Sequence, residues 1–239
     1  MSAVRVRPPP SPHLFKKKHK KKIILLDPDK WKNEDLKMAC EYINSNDNVA
    51  FVFVGGSIIK SENFHDKISN MKLYLKKPLF LFAGNSYQIN LNVDAFFIPF
   101  PLNTYDYNYF HNELLRNVFL ISKKPVYITG YLLLGSNFTS AYILSKAYNV
   151  TENTDIILAF IKFCEIMKFS SIYLEGGSGS KIIVDNELLN FVSKQTKLPI
   201  IVGGGLRDLG IIESLLNNGA DYVVIGNYVE ENIDFIKKL

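Results

Sequence analysis

No run of about 18 or more apolar residues occurs in this sequence, so no membrane-spanning helix is expected. The start, Met1 to Pro12, lacks the continuous apolar stretch of a secretory leader. Cysteine is scarce. Cys40 and Cys164 stand far apart in helix-like segments without ligand spacing, which argues against a disulfide scaffold and reads as two buried thiols in a reducing cytosol. A cytoplasmic protein is expected. His13, His19, His65 and His111 are scattered and adjoin no motif, so neither a zinc site nor a Ser-His-Asp arrangement is expected. Positive charge is also missing from most of the chain. Residues 1–22 carry Arg5, Arg7 and six lysines with no acid, leaving 20 basic against 23 acidic side chains in the remainder. The body is therefore no nucleic-acid surface. The run Lys16–Lys22 reads as a solvated tail, with peripheral attraction to anionic lipid headgroups as the alternative, at about 1 kcal/mol per lysine.

Apolar residues are ample, at 47%. Pro8, Pro9, Pro10 and Pro12 mark a disordered start, so residues 1–21 are read as a basic tail and 22–239 as one catalytic domain. Short β-branched or aromatic runs recur at 23–26, 50–54, 79–82, 95–98, 126–131, 171–174, 200–202 and 222–225. They are apolar without strict alternation, as strands buried on both faces are. Helical patterns fall between them. One spans 33–44 with Leu36, Ala39, Cys40 and Ile43 on one face; another begins at Thr151; a third covers 209–218 and stops at Gly219. The segment 84–94 is polar and turn-rich, so the third helix should be short or replaced by a loop. Eight strands in a chain of this length predict an α/β fold, the (β/α)8 TIM barrel.

The three last strand ends run into glycine: Glu175-Gly176-Gly177-Ser178-Gly179, Gly203-Gly204-Gly205 and Gly226-Asn227. Such turns present backbone N–H groups at the carboxyl ends of late strands, where a barrel of this kind binds phosphate. Glu175 directly follows an apolar strand, and a carboxylate beside a phosphate nest is unfavourable unless used, as a base or a cation stabiliser. The first strand ends in Leu26-Asp27-Pro28-Asp29, which places a carboxylate at the same rim, fit for Mg²⁺ on a diphosphate; Asp29 is read as the cap of the next helical turn. The second ends in Gly55-Gly56-Ser57, a hydroxyl for the same ion or simply a helix cap. Asn85 and Gln88 offer neutral donors after the third. The aromatics after strands 4 and 5, among them Phe96, Phe97, Phe100, Tyr127 and Tyr131, are read mainly as core, with an apolar groove as the alternative.

In order along the chain, Leu-Leu-Asp-Pro-Asp-Lys, Val-Gly-Gly-Ser, Ala-Gly-Asn-Ser-Tyr-Gln, Gly-Tyr-Leu-Leu-Leu, Tyr-Leu-Glu-Gly-Gly-Ser-Gly, Val-Gly-Gly-Gly-Leu-Arg and Gly-Ala-Asp-Tyr-Val-Val-Ile-Gly-Asn resemble the geranylgeranylglyceryl phosphate synthase family, including its heptaprenylglyceryl relatives. The resemblance runs from about Lys22 to the end. It implies transfer of a long prenyl group from a prenyl diphosphate to the C3 hydroxyl of sn-glycerol 1-phosphate, forming the first ether bond of archaeal-type lipids. It implies Mg²⁺ on Asp27 and Ser57, and catalysis by Glu175 with Tyr173. It also implies glycerol-phosphate binding by Tyr173, Leu174, Glu175, Gly176, Gly177, Ser178, Gly179, Gly204, Gly205, Gly226 and Asn227, and a homo-oligomer, dimer or hexamer. Two positions depart from the family's pattern: Ala83 stands where it has proline, and Gly176 where it has alanine. Two rival readings of the residues remain open here: another phosphate-binding barrel enzyme, of the sugar-phosphate isomerase or thiamin- or tryptophan-pathway type, and a silent barrel that binds a phosphorylated metabolite.

Overall fold

The computed structural model describes residues 14–56, 63–82, 88–135, 140–177 and 184–239, apart from the side chains at 108–111, 113, 114 and 140. Eight parallel strands close on themselves in chain order: β1 (Lys21–Leu26), β2 (Val49–Val54), β3 (Leu79–Phe82), β4 (Ala95–Pro101), β5 (Val126–Leu133), β6 (Ser171–Glu175), β7 (Ile200–Gly203) and β8 (Tyr222–Ile225). The expected barrel is the observed one. Around it lie α1 (Asn33–Ser45), α2 (Phe64–Tyr74), α3 (Tyr107–Ile121), α4 (Ser140–Leu144), α5 (Thr154–Ile166), α6 (Asn186–Gln195), α7 (Leu209–Asn217), α8 (Asn227–Glu231) and α9 (Phe235–Lys238). No α-helix occurs among the described residues 88–94 between β3 and β4, as the polar composition there predicts. The helix expected from Thr151 starts at Thr154 instead, because the Asn153 side chain accepts the Ile156 N–H at 3.0 Å and caps it.

Strand alternation sorts the core into two layers. Ile24, Val52, Leu81, Phe96, Leu174 and Val202 face outward to the helices. Ile23, Phe51, Phe53, Phe80, Phe97, Tyr127, Tyr131, Tyr173 and Tyr222 fill the lumen. The barrel interior is thus packed largely with aromatic rings. Both cysteines are buried, and burial pushes the Cys164 thiol up to about 12.

The N-terminal boundary of the domain differs from the expected one. Residues 14–20 are not a detached tail but a plug for the floor of the barrel. Phe15 inserts between Phe51, Tyr127 and Tyr222, with ring centroids at 5.2, 5.4 and 5.6 Å. The Tyr222 hydroxyl accepts the Lys16 N–H at 3.1 Å, and Asp221 accepts the Lys18 N–H. Several lysines of the run are tied down as well: Lys17 to Asp221 at 3.6 Å, Lys20 to Asn217 at 3.0 Å and Lys22 to Glu213 at 2.6 Å. The reason is physical. The floor of an aromatic-lined barrel needs an apolar lid, and Phe15 is the apolar residue that the basic sequence supplies there.

Candidate active site

The carboxyl ends of the strands form the mouth, and it has two sides. On the β6–β7 side, Tyr173 and Glu175 point inward as alternate residues of one strand. Leu174 between them points outward into the helix-facing layer, so its side chain does not reach the mouth. The expected glycerol-phosphate contact at Leu174 is thereby left to its backbone. Glu175 is 6% exposed. Its Oε1 accepts the Gly177 N–H at 2.7 Å and its Oε2 accepts the Tyr131 hydroxyl at 3.1 Å; the Tyr173 hydroxyl bonds to it as well. Burial raises the carboxyl above the usual glutamate range, and these three donors pull it back. Burial and the neighbouring carboxylate hold both tyrosines well above the ordinary phenol range.

The glycines here are fitted to these side chains. A Cβ on Gly203 would stand 2.0 Å from the Tyr173 hydroxyl. One on Gly204 would meet the Gly177 nitrogen at 2.4 Å and Glu175 Oε1 at 2.5 Å. Gly204 and Gly205 have φ of +97° and +67°, a left-handed turn that glycine adopts without strain and that exposes successive N–H groups. The left-handed glycine turn and the buried carboxylate therefore lie against each other. Ser178 and Gly179 lie outside the described residues.

On the β1–β8 side, Asp27 directly follows β1, and its Oδ1 accepts the Asp29 N–H at 3.1 Å, capping the short 3-10 helix Pro28–Lys30. The cap is thus Asp27, not Asp29, because the turn at Pro28 begins one residue after the strand. Lys30 Nζ bridges across to α8: it lies 2.7 Å from Glu230 Oε2, 3.1 Å from Asn227 Oδ1 and 4.0 Å from Asp27 Oδ2. Glu230 Oε1 accepts the Asp27 N–H at 3.3 Å. Burial raises both carboxyls. Gly226 caps α8, whose first residue is Asn227, so the loops after β7 and β8 both open onto this end. Ser57 and Asn85 lie outside the described residues. Gln88 is buried and donates to the Gly56 carbonyl at 2.8 Å, a stitch between the loops after β2 and β3.

Several members of the site had no signal in single motifs. Tyr131 belongs with Tyr173 because the two are register partners across β5 and β6. Gly203 serves Tyr173 across the next pair of strands. Glu230 shares a helical face with Asn227, a three-residue spacing that the sequence does display.

The profile of the PcrB family matches residues 15–239. A geranylgeranylglyceryl phosphate synthase of Flavobacterium johnsoniae is 36% identical over 216 residues, covering 89% of this chain and 88% of that protein. Among solved structures, the wild-type synthase of this kind from Thermoplasma volcanium superimposes with a TM-score of 0.82 at 25% identity, over 94% of this chain and 90% of that one. A Thermoplasma acidophilum (S)-3-O-geranylgeranylglyceryl phosphate synthase, solved with its substrate sn-glycerol-1-phosphate, has the same fold, with a TM-score of 0.84 at 24% identity over 91% of this chain and 89% of that one. Because the match runs through every strand and both late glycine turns rather than through one motif, the chain belongs to the PcrB family, in the company of the geranylgeranylglyceryl phosphate synthases.

Proposed function

We propose that this chain is a geranylgeranylglyceryl phosphate synthase, joining the prenyl C1 carbon of a long prenyl diphosphate to the C3 oxygen of sn-glycerol 1-phosphate. One observation carries the reading beyond family membership: a buried carboxylate, Glu175, lies against the glycine turn that suits a phosphate. The acceptor has the same two features, a phosphate at one end and a hydroxyl to be deprotonated a few bonds away.

The backbone N–H groups at Gly204–Gly205 and Gly226–Asn227 hold the acceptor by its phosphate and make the attack effectively unimolecular. As the allylic C–O bond breaks, the diphosphate leaves with the electron pair. The C3 oxygen bonds to the prenyl C1, and its proton passes to Glu175. A carboxylate raised by burial suits that transfer better than an ordinary one. Tyr173 acts on the carboxylate, to which its hydroxyl is bonded, and its ring lies 6.1 Å from Phe82 and 6.4 Å from Phe97.

Asp27 fits a divalent cation. Its carboxylate is largely buried, and a Cβ on Gly56 would stand only 2.6 Å from Oδ2, so the glycine keeps that face clear. Among the described residues no three His, Cys, Asp or Glu side chains gather as a metal centre. Mg²⁺ would therefore take Asp27, Ser57 and substrate oxygens, a shell that suits it, and would supply charge neutralisation for the leaving diphosphate.

Homo-oligomerisation is part of the same proposal. Phe119 on α3 and Ile166 on α5 are 84% and 77% exposed, with Leu115 one turn before Phe119 and Met167 next to Ile166 also exposed. Both helices flank Phe100, whose ring lies 6.4 Å from Tyr107 and 6.2 Å from Phe163. So much exposed apolar surface suits a face covered by a second copy. The lysine run, by contrast, sits at the floor of the barrel, the end away from the mouth, so lipid held there would not face the prenyl entrance. No helix among the described residues is long and apolar enough to cross a membrane.

The test is transfer of label from sn-glycerol 1-phosphate into a lipid-soluble product, with Mg²⁺ and geranylgeranyl diphosphate. Product from this acceptor and none from sn-glycerol 3-phosphate is expected. No product from either acceptor, with farnesyl and heptaprenyl diphosphates tried too, would return the chain to a generic phosphate-binding barrel.

A further inference from the structure

Among the described residues, no cation stands beside Glu175. The groups acting on it are the Gly177 N–H and two phenols, Tyr131 from β5 and Tyr173 from β6. Other described neighbours of this pocket carry no charge: Phe82 from β3 and Phe97 from β4 pack on Tyr173, and Gly203 of β7 makes room for its hydroxyl. Lys30, Asp27 and Glu230 form their own cluster on the β1–β8 side. A carboxylate so buried would take up a proton unless neutral donors supported it.

Tyr131 is built to be such a donor. Its backbone is clamped in the sheet, paired with Tyr173 on one side and with Pro101 on the other, and its carbonyl accepts the Leu102 N–H at 2.9 Å. Its ring packs against Tyr173 with centroids 5.0 Å apart and against Phe82 at 6.2 Å. Its hydroxyl ends at Glu175 Oε2. An ammonium or guanidinium in this place would lower the basicity of the carboxylate and repel the positive charge that develops on an allylic carbon. A phenol does neither.

We propose that Tyr131 is a positioning residue for Glu175: its hydroxyl, carried on a rigid strand, fixes Oε2 and keeps the carboxylate ionised and oriented before the acceptor alcohol arrives. The inference rests on the role given to Glu175 in the proposed reaction. It concerns a residue that does not itself have to touch either substrate.

The experiment tracks the titration of Glu175 directly, by ¹³C NMR of protein labelled at the glutamate side-chain carboxyls, the signal being assigned by its absence in Glu175→Gln. Tyr131→Phe keeps the ring and removes the donor. Its Glu175 midpoint should rise by about one pH unit or more, the scale of one hydrogen bond to a charged group. Replacing Tyr131 by 3-fluorotyrosine, nearly the same shape and a stronger donor, should lower the midpoint, and it keeps the test available should the phenylalanine variant fold poorly. The acidic limb of kcat should move in the same order, with the KM for sn-glycerol 1-phosphate changed less than about threefold. An unchanged midpoint in both variants would overturn the proposal. A shifted midpoint in a protein that forms no prenyl product would leave Tyr131 its role and remove the proposed reaction instead.

Discussion

At the scale of single residues, the burial of Glu175 has a thermodynamic consequence that is separate from chemistry. Its folded-state pKa lies above the ordinary glutamate value, so between the two the native state binds more protons than the unfolded chain. Stability therefore falls as pH rises through this window, and the full penalty is present above the folded-state pKa. Glu175→Gln carries no such penalty. It should be more stable than the parent at pH 7.5, by denaturant unfolding, with the difference shrinking towards zero near pH 4. An equal difference at both pH values would mean that the carboxyl is not strained by its burial. Glu175 itself was legible in sequence, because a carboxylate closing an apolar strand before glycines has no ordinary structural use. Tyr131 and Gly203 were not, since their meaning depends on register across β5, β6 and β7, and no spacing along one strand encodes that. That Leu174 can offer the mouth only its backbone was illegible for a related reason: a contiguous motif does not display the alternation that turns every second side chain outward.

At the scale of elements, the strands and the helices α1, α5 and α7 followed from apolar runs and caps, with ends shifting by a few residues. The N-terminal plug did not. Phe15 lies in a basic stretch after prolines, and its partners come from β2, β3, β4, β5 and β8, so nothing local announces that it is core. Phe15→Ala should lower the unfolding free energy by about 3 kcal/mol or more, the cost of truncating a buried phenylalanine. A loss below about 1 kcal/mol would show that the floor closes without it. The absence of an α-helix among the described residues 88–94 was legible, because a polar, turn-rich segment cannot cover that side of a barrel with an apolar helix face.

At the scale of the whole molecule, charge and apolar surface are unevenly placed. The lysine run 16–22 lies at the floor, Asp27, Glu175 and Glu230 at the mouth with the late glycines, and exposed apolar side chains on α3 and α5. The last of these predicts assembly. Phe119→Glu combined with Ile166→Glu should sediment as a monomer at concentrations where the parent chain is larger. Equal sedimentation of the two would place the interface elsewhere. The fold and the glycine-rich rim could be read from sequence because glycine turns after successive strands are local signals, whereas an exposed apolar face is seen only once distant helices are placed in space.

The central claim is that Glu175 acts in the transfer step and the glycine turns in holding the acceptor. Its most direct test is kcat for Glu175→Gln measured together with the affinity of that variant for sn-glycerol 1-phosphate. Turnover reduced about 100-fold or more, the scale of a lost general base, with affinity within about threefold of the parent, is the predicted result. Unchanged turnover, or a loss of affinity that accounts for the whole defect, would contradict it.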